Sequence, residues 1–509
     1  MDFYLLRTTE DGRYQLPDWA YGNDDKLCIN YKALADTIAD LTSMKILFSN
    51  KKHIAYAYNS RIGIYEKKCS QQVKRIIYSM IECLISELTE LRDMDLGRDK
   101  LCFLDVDITN IDSYIIRDTD VKGVYNALLC STNVEEITSM NVFNANEDII
   151  VFKNGVLNIR TGEFDEKFGA KYLSTIQIPV NYNPDCNKNP QVFLKFINHL
   201  ANYDSNQRIA LIEAIGLAIS NVNVGQRCKK SIFMQGDGNC GKSIYLHLIE
   251  DLVGKENYTY MPFEKLNKQF AFSELYGKRI AADSDCMECN STQISNFKLI
   301  SSGDTVTAEY KYEPSFTFNF KGIYILATNK LPTFTGDKGD WVYDRMLLIQ
   351  CGDTIPENER DKHLSKHLME EAESIVFLAV TALRNLINRD YKFTVSAIEA
   401  EMKQEYKTDN NVYLSFLEEW CMPIGDLDVR SSDVVITGEA WTACKHYIDE
   451  NYPNYTKSFK DFSNAIRAKY NIKSKDASKV ISGSKAKNSK SKRIYPFTLK
   501  PEYLQYRNE

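Results

Sequence analysis

Residues 236–243 read Gly-Asp-Gly-Asn-Cys-Gly-Lys-Ser, and no other stretch restricts the fold of this 509-residue chain as much. A glycine, four residues and then Gly-Lys-Ser is the spacing of a phosphate-binding loop. Gly236, Gly238 and Gly241 let the backbone turn tightly and aim its N–H groups at phosphate oxygens. Asp237, Asn239 and Cys240 are the remaining positions of the nucleotide-binding loop. A helix opening near Lys242 adds its positive end. Lys242 is set to reach the β- and γ-phosphates, and Ser243 to hold Mg2+. The flanks agree: Ser231–Gln235 is strand-like, and Leu246, Ile249 and Val253 recur at helical spacing.

The next hundred residues hold further strand ends of the kind a nucleotide site uses. Lys278–Asp285 is an apolar run closing on acids, where a carboxylate can hold Mg2+ through water and polarise an attacking water. Asp285 is the better placed acid and Asp283 the second. Residues 322–330 form another apolar strand ending in Thr328-Asn329, and an amide there can orient the attacking water. Asn at such a position is otherwise a plain turn former. Arg345 opens a third apolar run beside Asp344; it is either one half of a local ion pair or, in a ring-forming ATPase, an arginine finger for the neighbouring subunit. Between these lies VTAEYKYEPSFTF, whose alternation predicts a β-hairpin with Lys311 and Tyr312 near its turn.

This order of motifs resembles the superfamily 3 helicases, in particular their phage and plasmid primase-helicase branch. The residues that carry the likeness are the loop, the Asp285 strand end, FKLISSGD before the hairpin, ILATNKLP and Arg345. Upstream, DIIVFKNGVLNIRTGEF and PVNYNP are also similar, so the likeness covers roughly residues 50 to 480. The layout is similar to the replication initiators (Rep) of staphylococcal pathogenicity islands. Two departures stand out. The family often has Glu where this chain has Asp285, and paired arginines where this chain has Asp344-Arg345.

The resemblance implies an α/β fold: an AAA+-type P-loop ATPase core with an α+β N-terminal domain, a helical lid and a C-terminal winged-helix domain. The corresponding segments are 1–190 (oligomerisation and DNA collar), 191–355 (ATPase core), 356–425 (lid) and 426–509 (basic origin-binding domain). It implies ATP and Mg2+ as cofactors, a hexameric ring, 3′→5′ movement on single-stranded DNA, and Lys311 and Tyr312 touching that strand. It also implies origin recognition on double-stranded DNA in a bacterial cytoplasm, within a phage or other mobile genetic element. The alternative is a DNA-dependent loader or remodeller that hydrolyses ATP without separating strands.

Charge supports a polyanion partner. Between Lys457 and Arg493 twelve basic residues face only Asp461 and Asp476, so this segment carries +10 and the rest of a chain of net charge −6 carries −16. Lys460, Arg467, Lys485, Lys487, Lys490, Lys492 and Arg493 are its candidate DNA contacts, with either a helix over 458–470 or a short one near 475–481 in the groove and Lys485–Arg493 as the wing. Phe459, Phe462, Tyr470, Tyr495 and Phe497 have the spacing of a small core rather than of a solvated tail. No run approaches the ~20 apolar residues of a membrane span, and the N-terminus lacks the pattern of a secretory signal. The 13 scattered cysteines include a lone CxxC at Cys286 and Cys289, which supports neither a zinc site nor a disulfide framework. FLDVDIT at 103–109 carries the acid pair of a primase without the downstream His such a centre needs, and reads as a buried strand. Priming would then come from a separate primase or host replication proteins.

Overall fold

The computed structural model describes residues 5–507 except 50–51, 95–99, 104, 138, 187–188, 287–289, 292–294, 312–314, 335–340, 410, 425–434, 453–456, 472–478 and 482–491. The chain is a mixed α/β structure. Its N-terminal part holds α1 (Tyr31–Thr42), β1 (Lys45–Ser49), β2 (Lys52–Asn59), β3 (Ile64–Lys68), α2 (Ser70–Asp93), α3 (Asp118–Cys130) and β4 (Glu135–Ile137). The strands form one sheet in the order β3-β2-β1-β4, antiparallel except for the β1–β4 pair. Asn30 caps α1 by accepting from the Ala33 N–H. The α2 residues Val73, Ile77, Met80, Ile81, Leu84, Leu88 and Leu91 recur three and four apart and bury one face against α1 and α3.

Among the described residues of 103–109 there is no strand of the kind expected, although Phe103 and Val106 are buried. Leu101 makes a single bridge to Tyr14, and the Asp107 carboxylate accepts from the Thr109 N–H. Aspartates that hydrogen-bond their own backbone compete with a strand ladder, and here they prevail.

A small antiparallel sheet follows: β5 (Ile149–Phe152), β6 (Gly155–Asn158) and β7 (Phe164–Asp165). Phe152, Leu157 and Ile178 pack into the same core as α4 (Gln191–Leu200), α5 (Ser205–Ala218) and the main sheet. That sheet is built from β8 (Ser231–Gln235), followed by α6 (Lys242–Val253), β9 (Tyr258–Tyr260) and β10 (Ile280–Cys286). Then come α7 (Ser295–Ser302), the hairpin β11 (Thr305–Ala308) and β12 (Phe316–Asn319), β13 (Ile323–Thr328), α8 (Trp341–Asp344) and β14 (Met346–Gln350).

Five parallel strands lie in the order β9-β10-β13-β8-β14. Strands covered on both faces read as unbroken apolar runs, as IYILAT and MLLI do here. Ile232, Met234, Ile325 and Ala327 face a core shared with α5, α6 and the helix over Ala372–Asn388; Phe233, Tyr324, Leu326 and Leu348 face a second core under the hairpin.

Helices α9 (Leu364–Glu370), α10 (Ala372–Asn388) and α11 (Ala397–Asp409) follow the sheet. The chain then forms α12 (Val412–Glu419), β15 (Cys421–Pro423), α13 (Thr437–Asn451), α14 (Phe459–Lys469), β16 (Lys479–Ile481), β17 (Lys492–Ile494) and β18 (Phe497–Leu499). Helices α12, α13 and α14 with β15 and β18 share a core of their own around Tyr413, Phe416, Trp420, Tyr447, Phe462 and Phe497. Helix α12 and strand β15 lie in the 356–425 segment assigned to the lid from sequence, yet they pack in this C-terminal core. Among the described residues no helix is long and apolar enough to cross a membrane.

Candidate nucleotide site and nucleic-acid surfaces

The glycine-rich loop leaves the C-terminal end of β8 and enters α6. Gly241 adopts φ +109°, a conformation side chains rarely take, as it starts the helix. Gly236 is required by contact: a Cβ there would lie 2.7 Å from Cys351 Cβ. The loop is fastened to the segment after β14 by Thr354 Oγ1 donating to Gly238 O (2.8 Å) and the Ile355 N–H donating to Asn239 O (3.2 Å). Asp237, Gly238 and Asn239 are exposed, and Cys240 is buried beneath them. Cys351 donates to Cys240 Sγ, and with the Lys242 ammonium this pulls the Cys240 thiol below the usual cysteine range while lifting that of Cys351.

Lys242 is buried at the first turn of α6, and its ammonium is turned onto the loop. It donates to Gly236 O (2.5 Å), Asp237 O (2.9 Å) and Asn329 Oδ1 (3.2 Å). Asn329 follows β13, beside β8, so two residues far apart in sequence meet at one end of the sheet. Thr328 ties the third strand end in, its hydroxyl donating to Cys286 O at 2.9 Å. Ser243 is exposed one residue into the helix.

The two acids of β10 part company. Asp283 is buried, and its carboxylate accepts from the N–H groups of Phe263 (2.9 Å) and Asp285 (3.3 Å). Burial raises its pKa, partly offset by those hydrogen bonds. It is thereby engaged in holding the chain that follows β9. Asp285, two residues on, is exposed at the loop end of the sheet.

Arg345 sits at the other end. The Ser231 N–H donates to Arg345 O, and Ser231 pairs with Met346 while Gln235 pairs with Gln350. The length of β8, roughly 16 Å at ~3.3 Å per residue, thus separates Arg345 from its own loop. Its guanidinium donates to Ser302 Oγ (3.0 and 2.9 Å) and Trp341 O (3.2 Å), rather than forming the ion pair with adjacent Asp344 that the sequence left open. The Trp341 ring carries both Arg345 (5.2 Å to the centroid) and Lys298 (5.1 Å) on its faces or edges. Trp341 and Ser302 escaped sequence reading; the only hint was the i, i+4 spacing of Trp341 and Arg345.

The hairpin forms with Thr305 opposite Asn319 and Ala308 opposite Phe316. Lys311 is exposed in its turn, and Tyr312 lies outside the described residues. In the C-terminal part, Lys460 is exposed near the start of α14, and Arg467 donates to Asn464 Oδ1 (3.4 Å). Lys492 and Arg493 lie on β17, which pairs with β16; Lys485, Lys487 and Lys490 lie outside the described residues. Phe462, Tyr495 and Phe497 are buried and Tyr470 stacks on Phe497, whereas Phe459 is exposed, its ring edge-on to Trp441 and tilted against Phe462.

Residues 35–200 match the family model described as D5 N terminal like, and residues 234–345 match a family of unknown function, DUF5906. The second match opens inside β8 and ends on Arg345. A candidate helicase of Invertebrate iridescent virus 3 is 21% identical over 376 residues, covering 66% of this chain and 39% of the viral protein. A candidate helicase of Acanthamoeba polyphaga mimivirus is 21% identical over 405 residues, covering 73% of this chain and 40% of its own length. The chain therefore spans about two fifths of the length of these relatives. Among solved structures, the A form apo structure of the NrS-1 C-terminal region aligns with a TM-score of 0.46 at 12% identity, covering 91% of this chain and 98% of that one. By these matches the chain is similar, at low identity, to viral proteins named for helicase function.

Proposed function

We propose that this chain is an ATP-dependent DNA helicase of the superfamily 3 type that binds a replication origin and unwinds it as a hexameric ring, moving 3′→5′. The observation that carries the reading is the division of the sheet's ends: Lys242 and Asn329 are joined at one, and Arg345 is held at the other. The strand order, with the loop-bearing strand beside the one that ends at Asn329, supports an AAA+-type core.

The residues fit a Mg2+-bound triphosphate. Lys242 now spends its ammonium on loop carbonyls, weak acceptors that phosphate oxygens would replace with charge-assisted hydrogen bonds. Ser243 and Asp285 are exposed oxygen donors at the same end and would hold Mg2+. When bound, ATP with Mg2+ supplies the free energy of phosphoanhydride hydrolysis. Asn329 would orient the attacking water while it keeps Lys242 in place. Arg345, unable to reach its own loop, would serve the loop of a neighbouring copy. Lys311 on the hairpin turn would grip the strand, with Tyr312 beside it.

Three helices followed by a hairpin, α12, α13, α14 and β16–β17, support a winged-helix reading, with α14 in the groove and Lys492 and Arg493 on the wing. The setting is the cytoplasm of a bacterial host, with priming left to another protein. Replacing Lys242 by Ala should abolish Mg-ATP hydrolysis and leave duplex binding intact. Wild-type turnover by the folded variant would remove the nucleotide-site assignment.

A further inference from the structure

A cavity of about 500 Å3 lies between the N-terminal sheet and the nucleotide-binding core. One wall is β2 and β3, with Tyr56, Tyr65 and Lys67; the other carries Tyr276, Lys278 and Lys321. Its floor includes Phe318, on the second strand of the β11–β12 hairpin. Tyr276 stands edge-on to Phe316 (5.1 Å) and Phe318 (5.3 Å), so the cavity opens at the hairpin's foot.

The acids beside it are already engaged. Glu66 accepts from Lys68 (2.8 Å) and Asn59 (3.2 Å), and the Glu256 carboxylate, which also lines the cavity, is attracted to Lys278, the charge an entering phosphate would share. The two terminal nitrogens of the Arg279 guanidinium donate to the carbonyls of Lys321, Leu217 and Val222. Lys278 donates to Glu256 O (2.6 Å) and Lys321 to Asn144 O (3.2 Å), with the Glu256 and Glu147 carboxylates respectively attracting them at longer range, and each ammonium has three protons to place. Burial holds both amines below the usual lysine range. An oxyanion would repay the lost hydration, and the tyrosines offer an aromatic surface.

We propose that this cleft is a second contact for single-stranded DNA, taking one nucleotide with its two flanking phosphates on Lys278 and Lys321 and its base against Tyr276. The volume is that of a site for a unit this size, at the junction between parts of the fold where such sites concentrate. Cations beside aromatic rings are the chemistry of sequence-tolerant strand binding. The cleft goes beyond the hairpin contact and rests on the reading of the chain as a strand-engaging motor. A strand moved by the hairpin would pass into a seat whose other wall belongs to the N-terminal sheet.

The test uses the full chain, a labelled oligothymidylate long enough to span hairpin and cleft, and no ATP. Lys278→Met with Lys321→Met should lower the slope of log K against log salt by about 1.4 and weaken binding about tenfold at low salt, at ~0.7 per phosphate on single strands. In the unaltered chain, a strand carrying photoactivatable thymidine should cross-link to the peptide bearing Tyr276, a readout independent of variant folding. An unchanged slope in the folded double variant, or cross-links confined to the Lys311 turn, would overturn the cleft. If Lys311→Ala loses the strand while the cleft variant binds normally, the hairpin reading stands and the cleft falls. Competition by free dTMP that leaves the oligonucleotide slope unchanged would make it a free-nucleotide site and overturn the strand assignment.

Discussion

Lys230 shows how one half-buried charge tunes the core beside the proposed finger. Its ammonium donates to Asp344 O (2.6 Å) and Met346 O (3.3 Å), on either side of Arg345. Burial pushes its pKa down to about 8 from 10.5. Between those values the unfolded chain binds this proton and the folded chain does not, so stability rises with pH through that window. Below about 8 both states are protonated and the fold carries the full cost of the half-desolvated charge. Denaturant midpoints from pH 7 to 10 should therefore climb for the native chain, and Lys230→Met should flatten the climb. An identical slope in the variant would assign it to other groups. The loop residues themselves were legible from sequence, because glycine, lysine and serine at this spacing encode a local backbone path. The partners of Cys240 and Arg345 were not: Cys351 and Ser302 are distant in sequence, and nothing local marks them.

Among the elements, four of the five parallel strands were legible as apolar runs and the hairpin as an alternation, whereas the short β9 was not read. The acidic strand end was legible only in part. The sequence ranked Asp285 ahead of Asp283 by its place nearer the strand end, and only tertiary packing shows that Asp283 lies under the Phe263 N–H while Asp285 is exposed. The register of β14 against β8 has a testable consequence. With Arg345 a strand's length from its own loop, Arg345→Ala should leave ATP binding nearly unchanged and lower hydrolysis steeply, fingers being worth roughly 10³–10⁵ in rate. Mixing this variant with Lys242→Ala should restore part of the activity, since some interfaces then pair an intact loop with an intact finger. Absence of rescue at every mixing ratio would rule out action between copies.

For the whole molecule, core membership redraws what composition suggested. A helical segment, 356–425, is split by packing: α9 to α11 join the sheet, while α12 brings Val412, Tyr413, Phe416 and Leu417 into the C-terminal core. Sequence could not place that divide, since an amphipathic stripe does not name the surface it will cover. A fragment of residues 411–509 should accordingly fold alone and bind duplex DNA, whereas one starting at 425 lacks α12 and β15 and should not fold. If the basic face engages about six phosphates, raising salt from 50 to 200 mM should weaken binding about a thousandfold. A domain that reads bases should still prefer one site over random duplex by ~10³ or more. Equal displacement by random DNA would reduce the segment to an electrostatic tail.

The central claim is that nucleotide turnover at the Lys242 loop drives strand separation, and a forked-duplex displacement assay tests it most directly. The unaltered chain should release the strand only with ATP and Mg2+, Lys242→Ala should release none, and Lys311→Ala should hydrolyse ATP without releasing it. DNA-stimulated hydrolysis by the unaltered chain with no strand displacement on any fork would contradict the account and point to a loader or remodeller instead.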